Sequence, residues 1–209
     1  MKILLLSDIH GNLPALEYCL TKNKDIDLLI SLGDVVNFGP WSNECVELLE
    51  TQENFIKIKG NHEHNFLNGK SEGKNIIEKT FFDHNIKRFE YFKTISNYRD
   101  SYKILDFKIL HTIGERYIFK DTEININQNL IIGHSHQMYC RKLNNFYLIN
   151  PGSLGLNRKT FGEINYIIWD TDKNDFKLKT DFISTDSYIK ELENLEFPKI
   201  CKEYILSKI

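Results

Sequence analysis

Apolar and polar positions follow two regimes along this chain. In the first third, short apolar runs end in polar clusters and give way to stretches of helical period. Lys2–Ser7 is a leucine and isoleucine run closing on Ser7-Asp8, the pattern of a buried strand. Leu13, Leu16 and Leu20 then share one helical face over 11–22, with Asn12 as a cap and Pro14 in the first turn. Asp27–Ser31 and Phe55–Ile58 predict two more strands, and 42–52 a second helix opened by Ser42 or Asn43. Strand–loop–helix units in succession imply right-handed βαβ crossovers and a mainly parallel sheet, hence an α/β protein.

The regime then changes. Residues 66–98 read as helical and aromatic-rich, interrupted by a loop at 68–75. From Tyr102 onward the stretches 102–112, 129–136, 144–153, 163–170 and 175–185 read as strands, with hairpin-like joins at Asn144-Asn145 and Asp170–Asp175. Residues 187–209 predict one or two amphipathic helices around Pro198. With no internal repeat and no linker, the 209 residues are expected to form one domain.

Composition narrows the function classes. The net charge of -2, with lysine and arginine dispersed, gives no footprint for tight polyanion binding and so no strong nucleic-acid signal. No stretch approaches the ~18 apolar residues of a membrane span. The opening apolar run is too short for a signal-peptide core, so a soluble cytoplasmic protein is expected. Cys19, Cys45, Cys140 and Cys201 lie far apart without a C-x-x-C pair, as idle or buried thiols would.

Histidines collect where strands end. The first strand runs into Asp8-Ile9-His10, the second into Gly33-Asp34 and the third into Gly60-Asn61-His62-Glu63. Later strands end at His111 and at Gly133-His134-Ser135-His136. Ligands bind at this edge of open α/β sheets. Imidazoles with carboxylates and few thiolates suit a dinuclear centre of Mn, Fe, Zn, Co or Ni rather than Ca or a structural zinc. Asp34 suits a bridging carboxylate, Asn61 can ligate through its amide oxygen, and the i, i+2 pairs Asp8/His10 and His134/His136 put two side chains on one side of an extended turn. Glycines at 33, 60 and 133 are expected to let the backbone turn sharply beneath the ligands.

These motifs, in this order, resemble the calcineurin-like metallophosphoesterase superfamily over about residues 1–170. The stretches at 7–17, 33–40 and 150–158 are most similar to its small bacterial and archaeal phosphodiesterase-type members. The resemblance implies a four-layer α/β/β/α sandwich with the site at strand C-terminal ends. It assigns Asp8, His10, Asp34 and His136 to one divalent metal, with manganese first in expectation. Asp34, Asn61, His111 and His134 go to a second, with Asp34 bridging. His62 becomes a donor to the phosphate or a general acid, and Arg158 a substrate-side clamp. The implied reaction is hydrolysis of a small phosphodiester or phosphomonoester by a metal-bridging hydroxide. A serine/threonine-type protein phosphatase and a non-catalytic scaffold are the competing readings. The phosphatase branch has Asp-Arg-Gly where this chain has Asn37-Phe38-Gly39, and lacks the second histidine of Gly-His-x-His. Thr112 follows His111 where the family usually has glycine.

Other residues stay open. His64 is expected beside the site or facing solvent, and His84 to be incidental. Phe81, Phe82, Phe89, Tyr91 and Phe92 are spaced as helix core, with a surface for a nucleobase as the alternative. Asn150-Pro151-Gly152-Ser153 either offers N–H groups to an oxyanion or simply ends a strand. Specificity is expected from whatever covers the metals: the 66–98 helices, the 112–125 loop, or a neighbouring subunit of a homo-oligomer.

Overall fold

The computed structural model describes residues 1–73, 75–114 and 116–209. Strand β1 (Lys2–Leu6) lies at the centre of a five-stranded sheet, flanked by β2 (Leu28–Ser31) and β3 (Phe55–Lys57) on one side and β9 (Glu163–Asp170) and β10 (Asp175–Phe182) on the other. Its alternation serves two cores. Ile3 and Leu5 face a second sheet, while Leu4 and Leu6 face helices α1 (Leu13–Lys22) and α2 (Ser42–Glu50) through Leu16, Cys19, Cys45 and Leu49. A strand buried on both faces must read as continuously apolar, which explains its sequence.

The expected parallel pairing holds for β1, β2 and β3, but β9 and β10 run antiparallel to it, so the sheet is mixed. The second sheet has the order β4 (Ser101–Ile104), β5 (Phe107–Leu110), β6 (Asn129–Ile131), β8 (Phe146–Pro151), β7 (Met138–Leu143). The stretch read as one strand at 102–112 is the hairpin β4–β5, turned at Leu105, which has φ 52°. Ile109, Ile131, Ile149 and Phe107 pack against Ile30, Ile167 and Trp169 between the sheets.

The outer face of the second sheet is covered by irregular chain. Ile118, Ile124 and Ile126 seal Leu130, Tyr139 and Leu148 there, so the fourth layer of the sandwich is apolar loop, without helix among the described residues. The aromatic middle folds as α3 (Asn61–Asn68), α4 (Ile76–Asn85), a 3-10 turn at Ile86–Arg88 and α5 (Phe92–Ser96). Phe81, Phe82 and Phe89 are buried core, which removes the nucleobase surface considered for them. The C-terminal helices are α6 (Asp186–Asn194) and α7 (Lys199–Leu206), the latter capped by Pro198; Phe197 and Tyr204 meet Phe81 of α4, while Tyr188 of α6 meets Trp41 and Phe161.

Two helix starts fall where expected. Helix α2 opens at Ser42, whose hydroxyl accepts from the Asn37 N–H at 3.0 Å. Asn12 does cap α1, accepting from Ala15 N–H, and its amide also reaches the Gly155 carbonyl at 2.9 Å. Among the described residues, no helix is long and apolar enough to cross a membrane.

Candidate metal centre

The loops after β1, β2, β3, β5 and β6 converge at one edge of the two sheets and bring together Asp8, His10, Asp34, Asn61, His62, His111, His134 and His136. All but Asn61 are buried. The loops are bonded to one another by backbone: Asp8 N–H to Gly33, His10 N–H to Asp34, Gly39 N–H to His10 and Gly155 N–H to Asp8. Asp8, His10, Asp34, Asn37, Phe38, His134 and His136 all have positive φ, between 49° and 73°. Asp, Asn and His tolerate this region better than most residues, Phe does not.

The three glycines serve the site differently. Gly33, at φ +100°, does make a turn that side-chain-bearing residues avoid. Gly60 and Gly133 are there for space: a Cβ would stand 2.1 Å from Asp34 Oδ1 in the first and 2.0 Å from Ser7 Oγ in the second.

Two triplets of donor atoms are close enough to hold a cation in the partition implied by the sequence: Asp8, His10 and His136, and Asp34, His111 and His134. The hydrogen bonds around them set the tautomers. His136 Nδ1–H donates to the Leu156 carbonyl at 2.5 Å, so its Nε2 presents a lone pair. That lone pair faces His10 Nε2 at 3.1 Å and Asp8 Oδ1 at 3.3 Å. Asp8 Oδ1 is itself buried without a hydrogen-bond partner. His111 Nδ1–H likewise donates to the Leu32 carbonyl at 2.8 Å, which turns its Nε2 to Asp34 Oδ2 and Asn61 Oδ1, both at 3.1 Å. Each cluster thus gathers acceptors around one point, the arrangement a cation resolves.

The electrostatics agree. Burial alone would raise Asp34, but the imidazoles of His111 and His62 outweigh it and hold the carboxyl well below its usual range. Burial is likewise overcome at Asp8 by His136, again downward. Burial pushes His10 well down, and His134 to about 4 with His111 assisting. His111 departs from this pattern: Asp34 overrides burial and lifts it to about 10. Divalent transition metals require ionised carboxylates and neutral imidazoles, so Asp8, Asp34, His10 and His134 fit as they stand, and a metal at His111 would have to displace a proton.

Several residues hold this arrangement without touching its centre. Glu63 is buried, and its carboxylate accepts four backbone N–H groups: Asp34 at 2.8 Å, Val35 at 2.8 Å, Val36 at 3.2 Å and Gly60 at 2.7 Å. Burial and the Asp34 charge push Glu63 up, and the Gly60 and Asp34 N–H groups oppose them. Ser7 Oγ donates to Asp8 Oδ2 at 2.5 Å. The 150–153 turn braces the loops: Asn150 donates to the Gly133 carbonyl at 2.7 Å and Ser153 to that of Asp8 at 2.8 Å, while Gly152 N–H bonds Asn150. These bonds support the structural reading of the turn.

His62 stands beside both clusters, Nε2 3.9 Å from Asp34 Oδ2. Asn85, at the end of α4, donates to Asn37 Oδ1 at 3.3 Å, leaving the Asn37 amide nitrogen to face His62 Nδ1 at 3.0 Å. His62 Nδ1 therefore accepts, and its proton sits on Nε2, toward the metal clusters. No sequence motif marks Asn85, a helical residue far from all of them. Tyr117 was equally silent: its ring stacks on His134 at 4.1 Å and 12°, and the Arg158 guanidinium lies 4.8 Å from the same ring. Arg158 is within reach of the site, 3.5 Å from the His134 carbonyl. His64 is half-exposed, 3.7 Å from Asp100, and His84 packs on Phe197, away from the clusters.

The family model of the calcineurin-like phosphoesterase superfamily domain matches residues 1–174. An uncharacterized protein of Methanocaldococcus jannaschii is 30% identical, over 85% of this chain and 85% of that protein. A metallophosphoesterase from Sphaerobacter thermophilus superposes with a TM-score of 0.79 at 20% identity, covering 100% of this chain and 99% of the other. A structure described as a novel archaeal phosphodiesterase gives 0.52 at 21% identity, covering 87% and 100%. The two structural matches are likenesses of fold. The match over most of the chain, with the ordered motifs gathered at one sheet edge, makes this protein a member of the calcineurin-like phosphoesterase superfamily.

Proposed function

We propose that the protein is a metal-dependent phosphoesterase that hydrolyses a small phosphodiester or phosphomonoester, using two divalent cations with manganese as the first choice. The observation that carries this reading is the pair of buried clusters, each with acceptor atoms turned on one point. Asp8, His10 and His136 would hold one cation, and His111, His134 and Asn61 the other, with Asp34 between them. When bound, such cations acidify water and neutralise charge on phosphoryl oxygens.

The chain's own groups supply the rest. His62 offers an Nε2–H to a phosphoryl or leaving oxygen, and the amide of Asn37 keeps that proton from moving to Nδ1. With the Asn37 amide nitrogen facing Nδ1, His62 acts as a hydrogen-bond donor through Nε2–H. Arg158, held against Tyr117, can fork onto a phosphate oxygen at the rim. Glu63 fixes the backbone on which Asp34 is carried.

The test is hydrolysis of bis-p-nitrophenyl phosphate by the purified chain with and without added manganese. Stimulation by manganese is expected, with loss of turnover in Asp34→Asn and His134→Ala. Metal-replete protein inert to a broad panel of phosphate esters would overturn the reading.

A further inference from the structure

Next to the metal clusters is a cavity of about 150 Å³. An engineered apolar cavity of roughly that size takes a benzene ring. One wall is aromatic. Phe38 stands with its ring 5.3 Å from that of His62 and 6.4 Å from that of Tyr204, which α7 contributes from beyond the 174 residues of the family model. Phe38 holds φ 59° although it has neither a donor atom for a metal nor a polar side chain that favours this region. Backbone strain of this kind persists where surrounding structure imposes it, and it clusters at functional sites. Here it sets a phenyl face beside His62. Asn75 and Glu78 from the start of α4 bring an amide and a carboxylate into the lining beside these rings, one turn before the Phe81 that meets both Phe38 and Tyr204, and Arg158 also lines the cavity.

We infer that this cavity is a subsite for the base of a nucleoside phosphate ester, its planar face on Phe38 and Tyr204 and its amino-bearing edge on Glu78. The inference rests on the phosphoesterase reading and adds the substrate class to it. A flat ring suits an aromatic wall and one-ring depth. A carboxylate only accepts hydrogen bonds, so Glu78 favours a base that presents an exocyclic amino group to it, as cytosine does, over uracil, which puts a carbonyl at that position. Arg158, Asp34, His134 and His136 line the same cavity and would take the phosphate.

Calorimetric titration of the full chain, with manganese present, compares cytidine monophosphate, uridine monophosphate and ribose phosphate. Base–aromatic stacking of about 1–3 kcal/mol predicts that cytidine monophosphate binds roughly tenfold more tightly than ribose phosphate. Tyr204→Leu should bring that ratio close to one. Glu78→Gln, a change that preserves shape, should remove the preference for cytidine over uridine. Ribose phosphate binding as tightly as both nucleotides to the unmodified chain overturns the subsite. So does a base preference that neither variant alters. Hydrolysis of bis-p-nitrophenyl phosphate, measured on the same preparations, separates the two conclusions: turnover without base preference removes only the subsite, and base preference without turnover removes only the phosphoesterase reading.

Discussion

Replacing Glu63 by glutamine tests how the site is held, independently of what it does. Oε1 accepts from Val35 and Val36, and Oε2 from Asp34 and Gly60, so each oxygen serves two backbone donors. Whichever way the glutamine amide is turned, its NH₂ must face two of those four N–H groups. Each buried donor left unsatisfied costs about 1–3 kcal/mol, giving roughly 2–6 kcal/mol. Removing the carboxylate also relieves its repulsion by Asp34, which acts in the opposite direction and brings the expectation to about 2–4 kcal/mol. Domains are stable by only about 5–15 kcal/mol, so the effect is large. With a urea slope of about 2 kcal/mol/M, the unfolding midpoint should fall by roughly 1–2 M. Glu63→Asp keeps the charge but withdraws the carboxylate by one methylene, and should resemble the glutamine variant. The measurement is urea unfolding followed by the fluorescence of Trp41 and Trp169, without added metal. A midpoint within about 0.25 M of the parent, at unchanged slope, would refute the claim that this carboxylate clamps the Asp34 and Gly60 loops.

Two further predictions concern atoms around the same loops. Asn85→Leu removes the donor that orients Asn37, and at about 1 kcal/mol for one such bond should lower kcat for bis-p-nitrophenyl phosphate roughly fivefold with little change in KM; an unchanged kcat would reduce Asn85 to a space-filler. Gly155→Ala places a Cβ 1.7 Å from the Ile9 carbonyl oxygen, so it should yield no folded protein by near-UV circular dichroism, whereas Gly69→Ala, with nothing within 4 Å, should cost only the ~1 kcal/mol of its left-handed backbone.

The candidate ligands were legible because a parallel strand ends where its apolar run ends, and the next polar residues are carried to the sheet edge. Asp8, Asp34, Asn61 and His134 all follow such runs within a few positions. Asn85, Tyr117 and Tyr204 were not legible, since each reaches the site from a segment whose local pattern serves other ends. Asn85 closes a helix packed on Phe81 and Phe82, and Tyr204 belongs to a helix whose apolar face seals against α4. Strand β7 was hidden for a different reason. It lies at a sheet edge with Cys140 exposed, so it carries no apolar run, and only the Asn144 turn announces it. The division into two sheets followed from the resemblance and not from local pattern, because β1 pairs with β9 across more than 150 residues while β6 pairs with β8 nearby.

The strained positions explain why donor chemistry and backbone chemistry coincide in the motifs. Asp8, His10, Asp34, His134 and His136 occupy left-handed backbone, and Asp and His are among the residue types that accept it. A bulkier apolar residue there would add strain as well as remove a donor. The cross-loop bonds from Asp8 to Gly33 and from His10 to Asp34 continue the pairing of β1 with β2 beyond the strands themselves, and the two braces from Asn150 and Ser153 add further constraint. Such over-determination is what allows strained residues to persist, and it fixes the donor atoms before any ion arrives. Phe38 is strained without supplying a donor atom: its φ of 59° precedes a Gly39 whose N–H donates to the His10 carbonyl, and its ring lines the cavity beside His62.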